Sequence, residues 1–511
     1  MAGLLAAVAA VAAAGILAAP ASLAAQSPVE AVRAYREAHG AEILAEYREL
    51  LALPNVASDS AGVWRNAEYL RDRLDGLGFA AELLTLPGTP PVVFGQLRVP
   101  GATRTLALYV HYDGQPVDTA GWTHGPWEPT LYTRSMEAGG EPRPFPEPGE
   151  AVDPEWRIYA RSAGDDKAPF AALFPVLDAF RDEGIAPTSN LLVFLEGEEE
   201  AGSPRLGEYL ARHRGRLDEA DIWLFLDGPV HPTGRPLITF GVRGVTALSV
   251  TVYGPTRPLH SGHYGNWAPV PGMMLSRLLA SMKDETGRVL VDGFYDTVEP
   301  LGAEERAALD ALPDTDPELM RELGLARTEG APESLAERLL LPSLTVKGLA
   351  SGNVGPLTRN VIPAEATAEL GIRLVEGNDP DHLEDLVEAH IRAQGYHIVR
   401  DDPDLESRLA HPRIAKVERQ GGYPAARTDM SLPVVRSVVA AARQVAGDEL
   451  VLVPTLGGSL PLYLFTDGLG KPAVIVPIAN ADDNQHAPDE NIRVGNLWYG
   501  MELFAALLAM E

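Results

Sequence analysis

The clearest pattern along the chain is a series of short apolar runs, most of which lead into acidic or histidine residues. Runs of this length without polar alternation are typical of strands buried on both faces of a sheet. Segments with helical spacing lie between them, which predicts an α/β fold: a mostly parallel sheet with helices on both faces. The predicted strands are Thr105–Val110, Leu191–Leu195, Asp221–Leu226 and Ala473–Pro477, and the predicted helices include Ser27–Leu51, Ala168–Asp182, Pro204–Arg214 and Leu497–Met510.

The middle of the chain follows a different pattern. Val245–Tyr253 alternates apolar and polar residues like a half-exposed antiparallel strand. Ala366–Leu374 is a further strand and Pro380–Gln394 a helix, so this region predicts a small α+β sandwich of the split βαβ, ferredoxin-like type. We therefore predict an inserted domain over residues 242–421 that divides the α/β domain into two parts, residues 26–241 and 422–511.

The N-terminal segment is apolar and rich in alanine from Gly3 to Ala25. Small residues near its end resemble a signal-peptidase site, with cleavage after Ala24 or Ala25, so we predict a signal peptide over residues 1–25. The segment contains no Lys or Arg, and a retained membrane anchor is the alternative. No later segment is long and apolar enough to span a bilayer. We therefore expect a periplasmic or secreted protein without membrane contact in its mature form.

Composition narrows the partners and the chemistry. The formal net charge of -29 argues against nucleic acid and anionic membranes as partners, because both attract basic surfaces. The chain has no cysteine, so disulfides, thiolate metal ligands and cysteine nucleophiles are excluded. Any bound metal ion must be held by His, Asp and Glu, a ligand set that suits zinc, manganese or cobalt at a hydrolytic site.

Acidic and histidine residues collect where the predicted strands end. Crowded carboxylates repel one another, and a cation would remove the conflict. Taken singly, each residue has an ordinary alternative, namely a solvated acidic loop, a helix N-cap, a turn residue or a loop histidine. Because the carboxyl ends of parallel strands meet at one edge of a sheet, we interpret the set as the site of two first-row cations, with a further acid that stays off the metals to take a proton from the attacking water. The set comprises His111, Asp113, Asp165, Asp166, Glu199, Glu200, Asp227 and His486.

Seven short motifs follow one another along nearly all of the chain after residue 26. They are His111-Tyr112-Asp113, Asp165-Asp166-Lys167, Glu199-Glu200-Ala201-Gly202-Ser203, Leu226-Asp227-Gly228, Leu259-His260-Ser261-Gly262, Gly457-Gly458-Ser459 and His486. In this order and spacing they resemble the zinc-dependent aminoacylase and glutamate-carboxypeptidase superfamily of metallopeptidases, and within it the carnosine dipeptidase branch. The resemblance implies a dinuclear zinc-peptidase fold whose inserted domain is a lid and dimerisation domain.

The resemblance also implies a role for each residue of the metal site. His111 and Asp227 would hold one metal ion, Glu200 and His486 the other, and Asp165 would bridge the two. Glu199 would be the general base for the attacking water and then the acid for the leaving amine. Asp113 would orient His111, and the Asp165–Asp166 peptide bond would be cis.

The family pattern is not matched everywhere. The usual Gly-Arg-Gly before the bridging acid is Ala160-Arg161-Ser162 here, although small residues remain and we expect the backbone path to survive. Glu198 adds a third consecutive acid, and a shift by one residue would exchange the roles of Glu199 and Glu200. The Pro-rich and Gly-rich stretch Gly121–Asp153 is predicted to be a surface excursion at the rim of the site.

Residues of the inserted domain and of the last part of the chain are expected to contact the substrate. By resemblance, His260 would stabilise the tetrahedral oxyanion by reaching the partner subunit's site in a homodimer. Arg373 would bind a substrate carboxylate bidentately, and an ion pair on the strand face is the equal alternative. Asn360, Gly458 and Ser459 are candidates for contacts to the substrate backbone.

Together these features predict a hydrolase with two divalent cations per subunit, zinc first and manganese or cobalt possible. We expect a dipeptidase or carboxypeptidase that cleaves an amide bond next to a free carboxylate in a small peptide. The alternative is an N-acyl amino acid deacylase, because the same site would attack either amide. A remote alternative is a binding protein on an inactive hydrolase fold, which predicts the loss of a ligand or of the base; neither is lost.

Overall fold

The computed structural model describes residues 27–511, and the predicted signal peptide at residues 1–25 lies outside them. Within the described residues the α-helices are α1 (Pro28–Leu51), α2 (Ser60–Gly76), α3 (Ala168–Glu183), α4 (Leu206–Leu217), α5 (Ser261–Tyr264), α6 (Pro271–Met282), α7 (Ala303–Asp310), α8 (Asp316–Glu322), α9 (Leu335–Leu339), α10 (Pro380–Ala393), α11 (Leu405–Ala410), α12 (Pro433–Ala446) and α13 (Val494–Leu508).

The strands of the same residues pair into two larger sheets and three small ones. They are β1 (Ala80–Leu84), β2 (Val92–Leu97), β3 (Thr105–His111), β4 (Thr130–Tyr132), β5 (Pro142–Arg143), β6 (Arg157–Tyr159), β7 (Asn190–Glu196), β8 (Ile222–Phe225), β9 (Leu237–Thr239), β10 (Gly241–Val242), β11 (Gly244–Tyr253), β12 (Leu259–His260), β13 (Ser343–Ala350), β14 (Val361–Ile362), β15 (Glu365–Leu374), β16 (His397–Val399), β17 (Ile414–Tyr423), β18 (Ala426–Arg427), β19 (Val451–Val453), β20 (Ala473–Ile475) and β21 (Asn491–Arg493).

The larger sheet has the strand order β1-β2-β7-β3-β8-β20-β9-β19. Its central pairs, β7 with β3, β3 with β8 and β8 with β20, are parallel, and so are β9 and β19. Antiparallel pairs lie on either side of this centre, at β1–β2, β2–β7 and β20–β9. The prediction of a mostly parallel sheet is therefore confirmed, with an antiparallel margin.

Both faces of this sheet are buried, which explains the unbroken apolar runs of its strands. In β7, Leu191 and Val193 pack into a core that also contains side chains of α1, α2, α3, α12 and α13. The alternate residues Leu192 and Phe194 belong to a second core, formed with α4 and with Phe465. Helices therefore cover both faces, as the sequence predicts.

The second large sheet has the order β13-β15-β11-β17-β16, and its pairs are antiparallel except β16–β17. Helices α6 and α10 cover one face, where Leu275, Leu278, Leu383 and Val387 pack on Val250. Its strands lie between residues 244 and 423, close to the predicted insert at 242–421. The function of this unit as a lid stays a prediction.

The predicted surface excursion Gly121–Asp153 contains two short strands. Its strands β4 and β5 pair with each other, β4 also pairs with β6, and β21 completes a four-stranded antiparallel sheet on the other side of β6. Leu131 is fully buried and Tyr132 is nearly so. Most of residues 121–153 are exposed or half-buried, as a surface excursion predicts. The short strands were not predicted, because strands of two or three residues show no periodicity. Among residues 27–511, no helix has both the length and the apolar character that a membrane crossing requires.

Candidate metal centre and active site

The parallel strands bring the predicted site together at one edge of the larger sheet. His111 is the last residue of β3 and pairs with Glu196, the last residue of β7. Asp227 follows the end of β8, which runs parallel to β3 on its other side. Asp165 and His486 reach the same edge on loops before α3 and after β20. The residues that ended apolar runs in the sequence are thus neighbours in space.

The first group of possible metal ligands is His111, Asp165 and Asp227, whose ligand atoms all lie within 4.8 Å of one another. His111 Nε2 lies 2.8 Å from Asp165 Oδ1 and 3.9 Å from Asp227 Oδ1. All three side chains are buried. A histidine and two carboxylates that converge in this way form a ligand set for a first-row cation.

The second group is Asp165, Glu200 and His486, so Asp165 is shared by both. His486 Nε2 lies 3.0 Å from Asp165 Oδ2 and 3.2 Å from Glu200 Oε2. Asp165 therefore presents one carboxylate oxygen to each group, which is the arrangement that a bridging ligand needs. The His486 side chain is 50% exposed, so the second group lies on the solvent side of the site.

Asp113 is fully buried and connects the two groups to the glutamate turn. Its carboxylate accepts hydrogen bonds from the backbone N–H groups of Glu199 and Glu200, each at 3.1 Å. Its Oδ1 also lies 3.4 Å from His111 Nδ1. One side chain thus sets the direction of a ligand from β3 and of the turn that follows β7.

Glu199 is outside both ligand groups but beside them. Burial, together with the nearby carboxylates of Asp227, Asp165 and Glu200, holds the pKa of Glu199 well above its ordinary value, against the opposing effect of His111. Glu198, the third acid of the run, is in neither group. Glu200 thus belongs to a possible ligand group and Glu199 does not. This is compatible with the roles that the alignment to Gly202-Ser203 predicts, and those roles stay predictions.

The crowding of acids in this site favours bound cations. Burial and the carboxylates of Asp165 and Glu200 raise the pKa of Asp227 to about 7, although His111 opposes the shift. Buried anions are stable only when they are paired with positive charge or coordinate a metal. Two imidazoles and three carboxylates in two overlapping groups fit two divalent cations.

A buried glutamate that the sequence analysis missed holds the loop of Asp165. Glu490 is fully buried, and its carboxylate accepts hydrogen bonds from the N–H groups of Ser162, Gly164 and Asp165 at 3.0, 2.9 and 2.9 Å. Arg161 Nη1 donates to it at 2.7 Å. A lone glutamate in a polar loop carries no sequence signal for this role, because its partners lie more than 300 residues away.

The departure from the family's glycine pattern is accommodated locally. Ser162 has a φ of 62°, in the left-handed region that favours glycine. Its hydroxyl accepts a hydrogen bond from Asn55 Nδ2 at 2.9 Å, and Gly114 leaves the space that the serine occupies. The Asp165–Asp166 peptide bond is cis, as the resemblance implied.

Two glutamines also contact the ligand groups and were not singled out in the sequence. Gln485 Nε2 donates to Asp165 Oδ2 at 2.7 Å, and Gln115 Nε2 donates to Glu200 Oε2 at 2.6 Å. For Gln485 the only sequence signal of this contact was its position directly before the predicted ligand His486. Both amides compensate carboxylate charge at the edge of the site.

The residues predicted to contact the substrate form two groups, His260 with Asn360 and Arg373 with Ser459. His260 ends β12, which pairs with β14, and the Asn360 carbonyl accepts a hydrogen bond from Ser261 N at 2.9 Å. His260 and Asn360 are exposed, and the His260 ring lies 4.5 Å from that of His263. Within the described residues, His260 is in neither ligand group of its own chain.

Arg373 and Ser459 are brought together, although 86 residues separate them. Arg373 Nη1 donates to Ser459 Oγ at 2.7 Å, and Ser459 Oγ donates to the Arg243 carbonyl at 2.6 Å. Gly458 is next to this pair and accepts a hydrogen bond from Arg243 N at 3.1 Å. Among residues 27–511 no carboxylate lies within 4.0 Å of Arg373, so the alternative of an ion pair on the strand face is not seen.

A pair of histidine-carboxylate groups that share one acid, at the carboxyl edge of an α/β sheet, defines a metal-dependent hydrolase. The sequence profile of peptidase family M20/M25/M40 matches residues 107–510. The chain belongs to this family of peptidases, which confirms the predicted superfamily and the assignment as a hydrolase.

Several relatives support this assignment over most of the chain. A Cys-Gly metallodipeptidase of Candida albicans is 28% identical and covers 91% of this chain and 94% of the relative. A Beta-Ala-His dipeptidase of Homo sapiens is 29% identical over 82% of this chain and 76% of the relative. Among solved structures, an M20 family metallo-carboxypeptidase of Sulfolobus solfataricus superposes with a TM-score of 0.71 at 28% identity, covering 91% of this chain and 98% of that one.

The predicted location must be corrected. The dipeptidases that the chain resembles, including those of two yeasts and of human, overturn the prediction of a periplasmic or secreted protein. The reason lies in the evidence on which the prediction rested. An alanine-rich run without a basic residue is a weak export signal, because insertion depends on a charged start and a strongly apolar centre.

Proposed function

We propose that the protein is a metallodipeptidase that uses two divalent cations, zinc first, to cleave small peptides with a free C-terminal carboxylate. The observation that carries this proposal is the pair of ligand groups that share Asp165, with Glu199 beside both. Dipeptidase is preferred to deacylase because relatives that cover most of the chain are named dipeptidases.

The ligand sets follow from the two groups. His111, Asp165 and Asp227 would hold one cation, and Asp165, Glu200 and His486 the other. The chemistry that such cations supply is Lewis-acid polarisation of the scissile carbonyl and a lowered pKa for water. The buried Asp113 would fix the position of His111 relative to the Glu199–Glu200 turn, because its carboxylate contacts both.

Glu199 would move the proton. A carboxylate that is buried and surrounded by acids has a raised pKa, which brings it closer to neutrality, where a general base and acid is most effective. Glu199 would take a proton from the attacking water and deliver it to the nitrogen of the leaving amine. Replacement by glutamine would keep the shape of the side chain and remove this capacity.

Residues from outside the sheet edge would bind the substrate. Arg373 and Ser459 would hold its carboxylate, with Gly458 and Asn360 at its backbone, and we propose that residues 242–421 act as a lid over residues 26–241 and 422–511. Since His260 is exposed and in neither ligand group of its own chain, we propose that it completes the site of a partner subunit. The exposed apolar side chains of Trp267, Val354 and Leu357 in the same unit favour a homodimer.

Paired substrates test the reaction class. Rates would be measured for a set of dipeptides and for the matching N-acetyl amino acids, with enzyme supplied with zinc or manganese and a chelator-treated blank. We expect faster cleavage of dipeptides and loss of this activity on chelation. Faster cleavage of the N-acetyl compounds would assign the protein to the deacylases, and activity that survives complete metal removal would contradict the metal-dependent reaction.

Subunit mixing tests the role of His260. His260→Ala and Glu199→Gln subunits are each expected to be inactive as homodimers. If His260 acts across the dimer, a mixture after subunit exchange contains sites with both residues intact and regains part of the activity. No recovery despite proven exchange would show that each site is built within one chain.

A further inference from the structure

A cavity lies in the unit formed by residues 244–423, next to the Arg373–Ser459 pair. It has a volume of about 310 Å³, and its lining includes the apolar side chains of Leu319, Leu335 and Leu339. Charged side chains also line it, among them Asp316, Glu333, Arg338 and the ion pair of Lys283 with Glu329. Pockets for small ligands in proteins begin at about this size. Leu323, Leu325 and Leu335 are each about half exposed, so α8, α9 and their connection leave apolar surface uncovered around the cavity.

Arg243 lies between the cavity and the predicted carboxylate site and contacts both. Its side chain lines the cavity and is 6% exposed. Its Nη2 donates to the Leu341 carbonyl at 2.8 Å and to Ser343 Oγ at 3.1 Å, while its Nε has no partner. Its backbone contacts the predicted carboxylate site: its N–H donates a hydrogen bond to Gly458 O, and its carbonyl accepts one from Ser459 Oγ.

The loop Gly457-Gly458-Ser459 also contacts a residue that lines the cavity. A Cβ on Gly457 would lie 3.1 Å from Leu339 Cδ2, so the loop that carries Gly458 and Ser459 rests directly on a leucine of the cavity. Ser343 lies opposite Arg373 in the β13–β15 pair and accepts the hydrogen bond from Arg243. Cavity and carboxylate site are therefore adjacent.

The charges at this junction are unbalanced. Within residues 27–511, no carboxylate lies within 4.0 Å of the guanidinium of Arg243 or of Arg373. Burial, and the proximity of Arg373, lower the pKa of Arg243 to about 10. Buried charges in proteins are normally paired, so the buried guanidinium of Arg243 without an acid leaves room for the anion of a ligand, and the exposed Arg373 lies close to it.

We infer that this cavity is a specificity pocket for the C-terminal residue of the substrate, with its apolar side chain against Leu319 and Leu335 and its carboxylate held by Arg243 with Arg373. The inference rests on the proposed function in that the substrate has a free carboxylate. The preferred C-terminal residues are leucine, methionine and phenylalanine, because a cavity of this size takes them whole and leaves a hole with glycine.

The test narrows the pocket at Leu319, which lines the cavity and is in neither metal-ligand group. Leu319→Trp on α8 fills the cavity, and Leu409→Trp on α11 is the matched control, since Leu409 is exposed and does not line it. The wild type is expected to cleave Ala-Leu at least about tenfold faster than Ala-Gly, as kcat/KM. Leu319→Trp should reduce this preference about tenfold by slowing Ala-Leu, while Ala-Gly stays within about twofold.

A second variant at the same position tests whether the effect of Leu319→Trp comes from the size of the pocket or from damage to the fold. Leu319→Ala enlarges the pocket and should shift the preference from leucine towards phenylalanine. The inference is overturned if the wild type shows no preference for leucine, if Leu319→Trp slows both dipeptides equally, or if Leu409→Trp has the same effect as Leu319→Trp.

Calorimetry separates this inference from the proposed reaction. Binding of N-acetyl-leucine and of N-acetyl-glycine to zinc-loaded Glu199→Gln needs no hydrolysis and presents the same C-terminal residues. Tighter binding of the leucine compound, abolished by Leu319→Trp, would support the pocket even if dipeptides were poor substrates. Equal binding of the two compounds would refute the pocket while leaving the metal site and its reaction intact.

Discussion

At the scale of single residues, Glu199 is the most direct test of the site. Glu199→Gln is expected to lower kcat by about 10²- to 10⁴-fold, because a positioned general base contributes about this much to proton transfer. Metal content should be unchanged, since Glu199 is in neither ligand group. Steady-state kinetics together with elemental analysis of the purified variant measure both effects.

Glu198→Gln is the matched control for this experiment, because it makes the same change one residue earlier in the glutamate run. We expect it to keep activity within a few-fold of the wild type. If Glu198→Gln were inactive and Glu199→Gln active, the order of the glutamates in the site would have to be reassigned.

A second prediction at this scale concerns Asp113 and its support of the metal site. Asp113→Asn turns an NH₂ group towards one of the N–H donors of Glu199 and Glu200, and weakens the contact to His111 Nδ1. We expect a loss of about 10- to 100-fold in metal affinity or activity, as for other residues that support metal ligands. Metal titration followed by activity measurement checks this; unchanged affinity and activity would mean that the turn is held by other contacts.

At the scale of secondary-structure elements, the attachment of α10 to its sheet depends on a buried glutamate. Glu388 is 1% exposed and accepts hydrogen bonds from Arg400 and Arg419 at 2.9 Å each. Burial raises its pKa, but the two arginines outweigh burial and lower the pKa of Glu388 to about 2.

Glu388→Gln is therefore expected to reduce the free energy of unfolding by about 2 kcal/mol at pH 7, as for charged hydrogen bonds. Because the folded-state pKa lies below the ordinary value of 4.5, this contribution is present above pH 4.5 and is lost as the pH falls towards 2. The difference between variant and wild type should shrink over that window. Urea unfolding at several pH values measures it, and the exposed Glu418→Gln should cost less than about 1 kcal/mol. A difference independent of pH would contradict the ionic origin.

At the scale of the whole molecule, cation binding is expected to contribute to stability. Chelation should lower the melting temperature, because ions that bind only the folded chain stabilise it by about 2.7 kcal/mol at a hundred times their Kd. Their removal also leaves the carboxylates of Asp165, Glu200 and Asp227 facing one another. Calorimetry of treated protein, with zinc added back, checks the prediction. An unchanged melting temperature after verified metal loss would contradict it.

Much of the site was predictable because it depends on local patterns. Apolar runs such as Leu191–Leu195 predict strands buried on both faces, and the residues at their ends must meet when the strands are parallel. His111, Glu200 and Asp227 follow from this rule and from the motifs. The rule does not reach residues whose partners are far along the chain.

The sequence by itself thus determined the fold class, the central strands and the candidate metal ligands at their ends, because hydrophobic periodicity and strand ends are local properties of the chain. Tertiary structure decided which groups support them: Glu490 on the loop of Asp165, Arg373 on Ser459, and Arg243 between a cavity and a glycine loop. These contacts join residues that are 86 to 329 positions apart. A buried polar side chain is satisfied by whichever donor the packing brings within hydrogen-bond distance, and only the folded chain specifies that donor.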